Sequence, residues 1–299
     1  MLATFLNNLF LSYSYTENWS IAKLVTVFKR GDRKLAGNYR GINIINSIAK
    51  LYDMILCSRL QQWFIPHREQ AGAQPKRGCL EHIVTLRMLV DTAKRKKKKL
   101  FITFVDFSQA YDRVSRKKLF SLMKNMGCGM VMLGALVAMY KSTQSIIGTA
   151  IITATIGVRQ GSPTSCLLFI LYVNEMIKII KENCTEDGFL RWLHVLVMMD
   201  DTVILSTTRE AMLHKVSLLQ RFCQIYEMKI NQSKTKFFVI NGTAEESRPL
   251  QVNELTIDSC VKYVYLGSPF TSDGSTSTSI KEHANMKMCH VLKFVSFLK

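Results

Sequence analysis

Prolines are scarce, five in 299 residues, and no Pro- or Gly-rich linker or internal repeat interrupts the chain. With 48% hydrophobic residues a large core can be buried, which excludes collagen-like and disordered classes. Acidic residues are also few: 22 Asp and Glu stand against 40 Lys and Arg, a net charge of +18. Such a surplus on a well-cored chain points to a polyanionic partner, nucleic acid before membrane, but says nothing about fold. None of the eight cysteines forms a Cys-x-x-Cys pair, so neither a disulfide framework nor a zinc site is suggested. Cys289-His290 is the one tight Cys/His neighbour pair, and it lacks further ligands nearby in sequence. No Lys or Arg precedes the apolar opening MLATFLNNLFLSY, and Asn7-Asn8 interrupts it, so it makes a poor signal peptide. The apolar stretch 165–180 carries Asn174, Glu175 and Lys178 and reads as too polar and too short to span a bilayer. No membrane partner is expected, and the expected compartment is intracellular and reducing, nucleus and/or cytoplasm.

What is present reads as mixed α/β. The run IAKLVTVF at 21–28 predicts a strand ended by the turn Lys29-Arg30-Gly31-Asp32. Apolar residues at helical spacing predict helices over 48–64, around 83–90, over 117–126, over 167–180 and over about 210–228. Strands are predicted at 100–105 (LFITFV), 237–240 and around 263–266, and the last twenty-five residues read as helical. The basic run KRKKKK at 94–99 fits a solvated helix end, a duplex-backbone contact or a nuclear import signal.

Two apolar runs, 194–199 and 202–206, flank Asp200-Asp201 and predict a hairpin with both carboxylates at its tip. Adjacent anions repel, and placing charge beside a buried sheet is costly. A third carboxylate, Asp106, closes the strand LFITFV. Asp106, Asp200 and Asp201 would make an all-oxygen cluster suited to Mg²⁺. Two such ions about 3.5–4 Å apart support phosphoryl transfer. The plain alternative for Asp-Asp is an ordinary surface turn.

Eight sequence blocks stand in order around these residues: FKRGD (28–32), NYRGINIINSIAKLYDMIL (38–56), QAGAQPKRGCLEHI (70–83), FVDFSQAYDRV (104–114), GVRQGSPTSCLLFILYVNEM (157–176), MMDD (198–201), INQSKTK (230–236) and YLGSPFTSDGS (265–275). In these blocks the chain resembles reverse transcriptases of non-LTR (LINE-like) retrotransposons, most closely the RTE/BovB-type group, over nearly its whole length. The resemblance implies an α+β right-hand polymerase fold, with helical/β fingers and a palm carrying an antiparallel, ferredoxin/RRM-like sheet. Fingers are expected at 1–99 and 117–155 and palm at 100–116 and 156–275. Residues 276–299 are expected to be a remnant of the thumb connection, with the thumb largely absent and no endonuclease domain ahead of Trp19.

The implied activity is RNA-directed DNA polymerisation with an RNA template, a DNA primer and dNTPs, using two Mg²⁺ ions or Mn²⁺ in their place. The alternative is a catalytically silent retroelement-derived remnant that acts at most as a basic nucleic-acid-binding module. By resemblance Asp106 and Asp200 are the metal-bridging aspartates and Asp201 a supporting carboxylate. Tyr111 matches the aromatic gate against a ribose 2′-OH, with a core aromatic as its bland reading. The backbone of Gln109 and Ala110 would lie beside the triphosphate, and Asp112 is read as structural. Lys29 and Arg40 resemble finger residues that clamp the triphosphate, one as a point charge and one as a bidentate fork. Gln160 matches a glutamine near the nucleotide sugar and base. Lys234 resembles a lysine that protonates the leaving pyrophosphate, with a solvated surface lysine as the alternative. Tyr265-Leu266-Gly267 resembles the primer grip.

Several positions depart from the family pattern. Met198 and Met199 stand where an aromatic and then Ala are usual, and Met199 is expected beside the primer terminus, slowing or distorting catalysis. Ala71-Gly72-Ala73-Gln74 replaces A-G-F-R, and Glu227-Met228 replaces Gly-Leu.

Overall fold

The computed structural model describes residues 1–29 and 31–297, without the side chains of Glu282, Met286 and 289–297. Arg30 of the predicted turn and the side chains of Cys289 and His290 lie outside the described residues. Two compact units are present, one formed by 1–66, 109–174 and 226–228, the other by 67–108, 175–225 and 229–299. These boundaries come from packing alone; the names fingers and palm are functional and return below.

In the first unit a four-stranded sheet runs in the order Tyr39–Ile44, Ile21–Phe28, Gln144–Ile147, Ala150–Thr153. Ile21–Phe28 is a strand as its β-branched alternation predicts, and it pairs antiparallel with Tyr39–Ile44 and parallel with Gln144–Ile147. The sheet stays largely at the surface, and Ala150–Thr153 is exposed throughout. The apolar weight of this unit lies in its helices. Helix Met130–Lys141 packs against helices Leu2–Leu11, Ser47–Trp63 and Arg116–Asn125, burying Leu133, Leu136 and Met139. Helix Ser47–Trp63 starts where Asn46 accepts from the amides of Ile48 and Ala49, a side-chain N-cap. Arg159 binds this unit's start to its loop by donating to the carbonyls of Trp19, Ser20 and Ser142.

The second unit is built on a six-stranded sheet ordered Val195–Met198, Asp201–Ser206, Leu100–Val105, Lys236–Ile240, Leu255–Ser259, Leu250–Val252. The first four strands are antiparallel neighbours, as the palm-like expectation requires, and Leu255–Ser259 joins Lys236–Ile240 in parallel. LFITFV is central and buried on both faces, which explains why it reads as an unbroken apolar run rather than an alternating one. On one face Ile102, Phe104, Val203, Leu205 and Phe238 meet Leu86, Val90 and Ala93 of helix Cys79–Arg95. A separate hairpin, Lys262–Tyr265 with Ser268–Thr271, closes over this core, and Tyr263 stacks on Phe104 at 4.2 Å.

Helix Pro163–Asn183 has 21 residues, longer than the 167–180 helix expected from its apolar spacing. By length and composition it could cross a membrane, but 72% of its most apolar window is buried inside the protein. Its apolarity is spent on the core: Leu168 through Val173, Met176 and Ile177 are all fully buried.

Candidate active site

The hairpin register moves the expected tip by one residue. Met198 pairs with Asp201, so the two turn residues are Met199 and Asp200, and Asp201 opens the second strand. Met199 takes φ of +59°, a left-handed conformation that a two-residue hairpin turn demands at its first position and an unbranched Met accepts at a cost. Along the neighbouring strand Val105 pairs with Thr202, so the next step places Asp106 opposite Asp201. Side chains alternate between faces, and both aspartates therefore continue the face that carries Phe104 and Val203. Like charges directly opposite one another on adjacent strands destabilise a sheet. The effect is visible in Asp201: its side chain reaches solvent, yet the protein packed around it, then Asp200 and Asp106, push its carboxyl up to about 6. Among the described residues no three His, Cys, Asp or Glu side chains are gathered into a metal-ligand set. The three carboxylates share a field but do not converge on one point.

Two loops of the same unit hold this geometry. Segment 69–71 lies along strand Val195–Met198, with Val197 bonded to Glu69 O and Ala71 bonded to Val197 O. The buried Gln70 carboxamide oxygen then accepts from Gly72 N at 2.8 Å and Met199 N at 3.3 Å. A Cβ on Gly72 would sit 2.5 Å from Met199 Sδ, so the glycine is what lets the methionine turn lie there. Gln70 is a positioning residue that local patterning does not mark; its only trace in the sequence is its place at the head of the QAGAQ block. On the other side of Asp106, the INQSKTK loop bonds its backbone twice: Asn231 N donates to Asp106 O, and Asp106 N donates to Thr235 Oγ1. That loop brings Lys234 Nζ to 3.9 Å from Asp106 Oδ2, with the lysine 59% exposed. Asp106, Asp200, Asp201 and Lys234 are thus together in one unit.

Leu266 and Gly267 form the two-residue turn of the closing hairpin, with φ of +49° and +79°. Positive φ at both positions is the type I′ signature. Tyr265, at the start of that turn, is 2% exposed, its ring belongs to the core, and its hydroxyl is 3.3 Å from His82 Nδ1.

The expected nucleotide-binding residues lie in the other unit. Gln109 adopts φ of +51° and its carbonyl accepts from Asp112 N and Arg113 N, which turns the chain directly after the Asp106 strand. Ala110 is buried. The Tyr111 ring stacks on Phe169 with centroids 4.5 Å apart and planes 11° from parallel, and its hydroxyl donates to Cys166 Sγ at 3.6 Å. Asp112 accepts from Gln160 Nε2 at 3.2 Å, and Asn43 N donates to Gln160 O at 2.8 Å. Gly161 follows at φ of +112°, where a Cβ would lie 2.4 Å from Asn43 O. Asp53, buried at the start of helix Pro163–Asn183, accepts from Thr164 N and from Ser162 Oγ. Burial raises the Asp53 pKa against the lowering effect of those bonds. Arg116 fixes the preceding loop by donating to Ala154, Ile156 and Gly157 carbonyls. Lys29 and Arg40 are exposed, and the pairing of Val27 with Arg40 places both on one face of the strand pair.

Residues 27–270 match the reverse transcriptase (RNA-dependent DNA polymerase) family, and the chain belongs to that family. Within it, this is a reverse transcriptase domain of the non-LTR retrotransposon kind. It is 24% identical over 260 residues to the retrovirus-related Pol polyprotein of the type-1 retrotransposable element R2 of Nasonia vitripennis, covering 81% of this chain and 25% of the relative. It is 21% identical over 291 residues to that of the type-2 element R2DM of Drosophila melanogaster, covering 91% and 27%. The chain thus spans about a quarter of the length of these curated relatives. In fold it is similar to telomerase from Candida albicans, solved in complex with a TWJ fragment of telomeric RNA. The TM-score is 0.56 at 12% identity, over 92% of this chain and 49% of that one. Telomerase from Candida tropicalis truncated from its C-terminal domain matches at a TM-score of 0.54 and 12% identity, over 90% and 59%.

Proposed function

We propose that this chain is the nucleotidyl-transfer core of an RNA-directed DNA polymerase of the RTE/BovB type, extending a DNA primer with dNTPs on an RNA template. The observation that carries the reading is the placement of Asp106 opposite Asp201 beside the Asp200 turn, with Asp201 raised to about 6 by its surroundings and its acidic neighbours. A protein with 18 surplus positive charges has concentrated negative charge at one end of the sheet's strands. All-oxygen donors under mutual repulsion fit a hard divalent cation. Asp106 and Asp200 would hold Mg²⁺, or Mn²⁺ in its place, with Asp201 in support. When bound, two such ions activate the primer 3′-hydroxyl and neutralise charge on the leaving oxygen.

The remaining roles belong to the chain's own side chains. Lys29 and Arg40 neutralise and orient the triphosphate. Tyr111, backed by Phe169, fills the space that a 2′-hydroxyl would need. Gln160, braced by Asp112, packs beside sugar and base. Lys234 delivers a proton to pyrophosphate as it leaves, a general-acid contribution. The Leu266–Gly267 turn offers backbone groups to the primer end. In functional terms the six-stranded sheet is palm, and the Ile21–Phe28 and Tyr39–Ile44 strands are fingers.

Primer extension on an RNA template with Mg²⁺ tests the reading. Incorporation is expected, with Asp106→Asn and Asp200→Asn each reducing it to background while template-primer binding persists. Nucleic-acid binding without any incorporation by the parent chain sinks the polymerase reading and leaves a basic binding module.

A further inference from the structure

The start of strand Val195–Met198 forms one wall of a cavity of about 720 Å³, and every residue lining it belongs to the second unit. That volume lies in the range of small-molecule sites, ~300–1,000 Å³, and has room for a nucleotide. Nothing in the polymerase reading uses it. Its lining gathers residues far apart in sequence: Arg68 and Glu69, His82, Lys181, and Arg191 with Trp192.

The charges there are unevenly matched. Lys181 Nζ lies 2.8 Å from Glu69 Oε1, and Arg77 is paired with Glu81 on helix Cys79–Arg95. The exposed Arg68 and Arg191 have no acidic partner among the described residues. Two lining residues carry a buried polar atom with no hydrogen-bond partner among the described residues. His82, 1% exposed, leaves Nε2 unmet, and Glu69, 8% exposed, leaves Oε2 unmet. Buried polar atoms are almost always bonded, so two unmet ones among the lining residues set this region apart. Burial lowers the His82 pKa to about 4, so the ring is neutral at pH 7 and presents one donor and one acceptor nitrogen. At the rim Trp192 is 67% exposed, an unusual position for the largest aromatic side chain.

We propose that this cavity is a second nucleic-acid site, which takes one nucleotide of a single strand with its phosphates on Arg68 and Arg191 and its base on Trp192. Guanidinium forks match phosphate oxygens, and an exposed indole stacks any base. An acidic peptide would satisfy the arginines but gives the indole no planar partner. The site goes beyond the polymerase reading, because it needs neither metal nor the aspartates.

The test titrates the full chain with tetra-deoxyadenylate in EDTA while tryptophan emission is recorded. Expected is quenching that disappears in Trp192→Phe. An Arg68→Ala/Arg191→Ala double variant should bind at least tenfold more weakly at 0.1 M salt. Its log–log salt slope should be shallower by about 1.4, from two lost single-strand phosphate contacts at ~0.7 each. All the changed residues are exposed, so the variants keep the fold. Asp106→Asn should leave the quenching unchanged, which separates this site from failure or success of primer extension. The proposal is overturned if quenching does not depend on Trp192, if the double variant matches the parent in affinity and slope, or if inorganic phosphate competes as well as the oligonucleotide.

Discussion

Asp201→Asn should stabilise the metal-free chain, the reverse of what removing a partnered carboxylate does. The carboxyl's pKa is raised from 3.8 to about 6. A shift of roughly two units corresponds to a ceiling near 3 kcal/mol at ~1.4 kcal/mol per unit. Asp201 also touches solvent, and screening of an exposed charge reduces the figure to about 1 kcal/mol. The sign follows from proton linkage: between pH 3.8 and about 6 the folded chain holds a proton on Asp201 that the unfolded chain has lost. Stability therefore falls as pH rises through that window. Asparagine mimics the protonated state at every pH, so the variant's advantage should be absent below pH 4 and complete by about pH 7. At about 2–4 °C per kcal/mol, the melting temperature at pH 7.5 in EDTA should rise by roughly 2 °C. Added Mg²⁺ should narrow or reverse the gap, because only the parent has the full charge to hold it. Thermal or urea melts of both proteins from pH 4.5 to 7.5 give the answer. A variant less stable than the parent at neutral pH, or a difference that stays flat across the window, would falsify the claim of a repelling cluster.

Three further outcomes follow from particular contacts. Gly161→Ala places a Cβ 2.4 Å from Asn43 O at φ of +112°; a loss of about 2 kcal/mol or more is expected in urea, and an unchanged midpoint would show that the loop can shift. The buried Lys215 Nζ sits 2.7 Å from Asp187 Oδ2. Burial alone would raise the Asp187 pKa, but hydrogen bonds from Lys215, Thr207 and Ser206 bring it below the ordinary value. Lys215→Met should cost about 3–5 kcal/mol, with much of it recovered when Asp187→Leu is added; equal losses in the single and double variants would contradict an uncompensated charge as the cause. Phe169→Ala removes the ring against which Tyr111 is stacked; ribonucleotide incorporation relative to deoxyribonucleotide should rise, in the same direction as in Tyr111→Ala, and unchanged sugar selection would refute the bracing role.

Much of the local structure is legible in the chain without coordinates. The β-branched and aromatic runs IAKLVTVF and LFITFV mark two strands with their correct ends, Ile21–Phe28 and Leu100–Val105. Helical stripes locate Ser47–Trp63, Arg116–Asn125 and Arg209–Tyr226 to within a residue or two. These features depend on side-chain spacing within one segment, so the segment alone reports them. The ordered motif blocks likewise identify the family, because the catalytic chemistry restricts residue type at each block.

The turn at the hairpin tip was not legible in the same way. Asp200-Asp201 reads as the turn dipeptide, yet Met199 and Asp200 occupy it, since register is set by the Met198–Asp201 pairing across strands. The burial of Tyr265 against His82, 183 positions away in sequence, is likewise not marked in its own segment. Gln70 and Asp53 carry no local signal; each matters because a buried polar group must find its partner, and the partners stand at Met199, Ser162 and Thr164. The cavity beside Trp192 is likewise drawn from two distant segments, 68–85 and 181–196. The sequence alone thus determined which segments form strands and helices and which carboxylates bear the charge, because those depend on local spacing and residue chemistry. Tertiary structure alone decided which of those groups face each other, because pairing register and the satisfaction of buried polar atoms are settled only between distant segments.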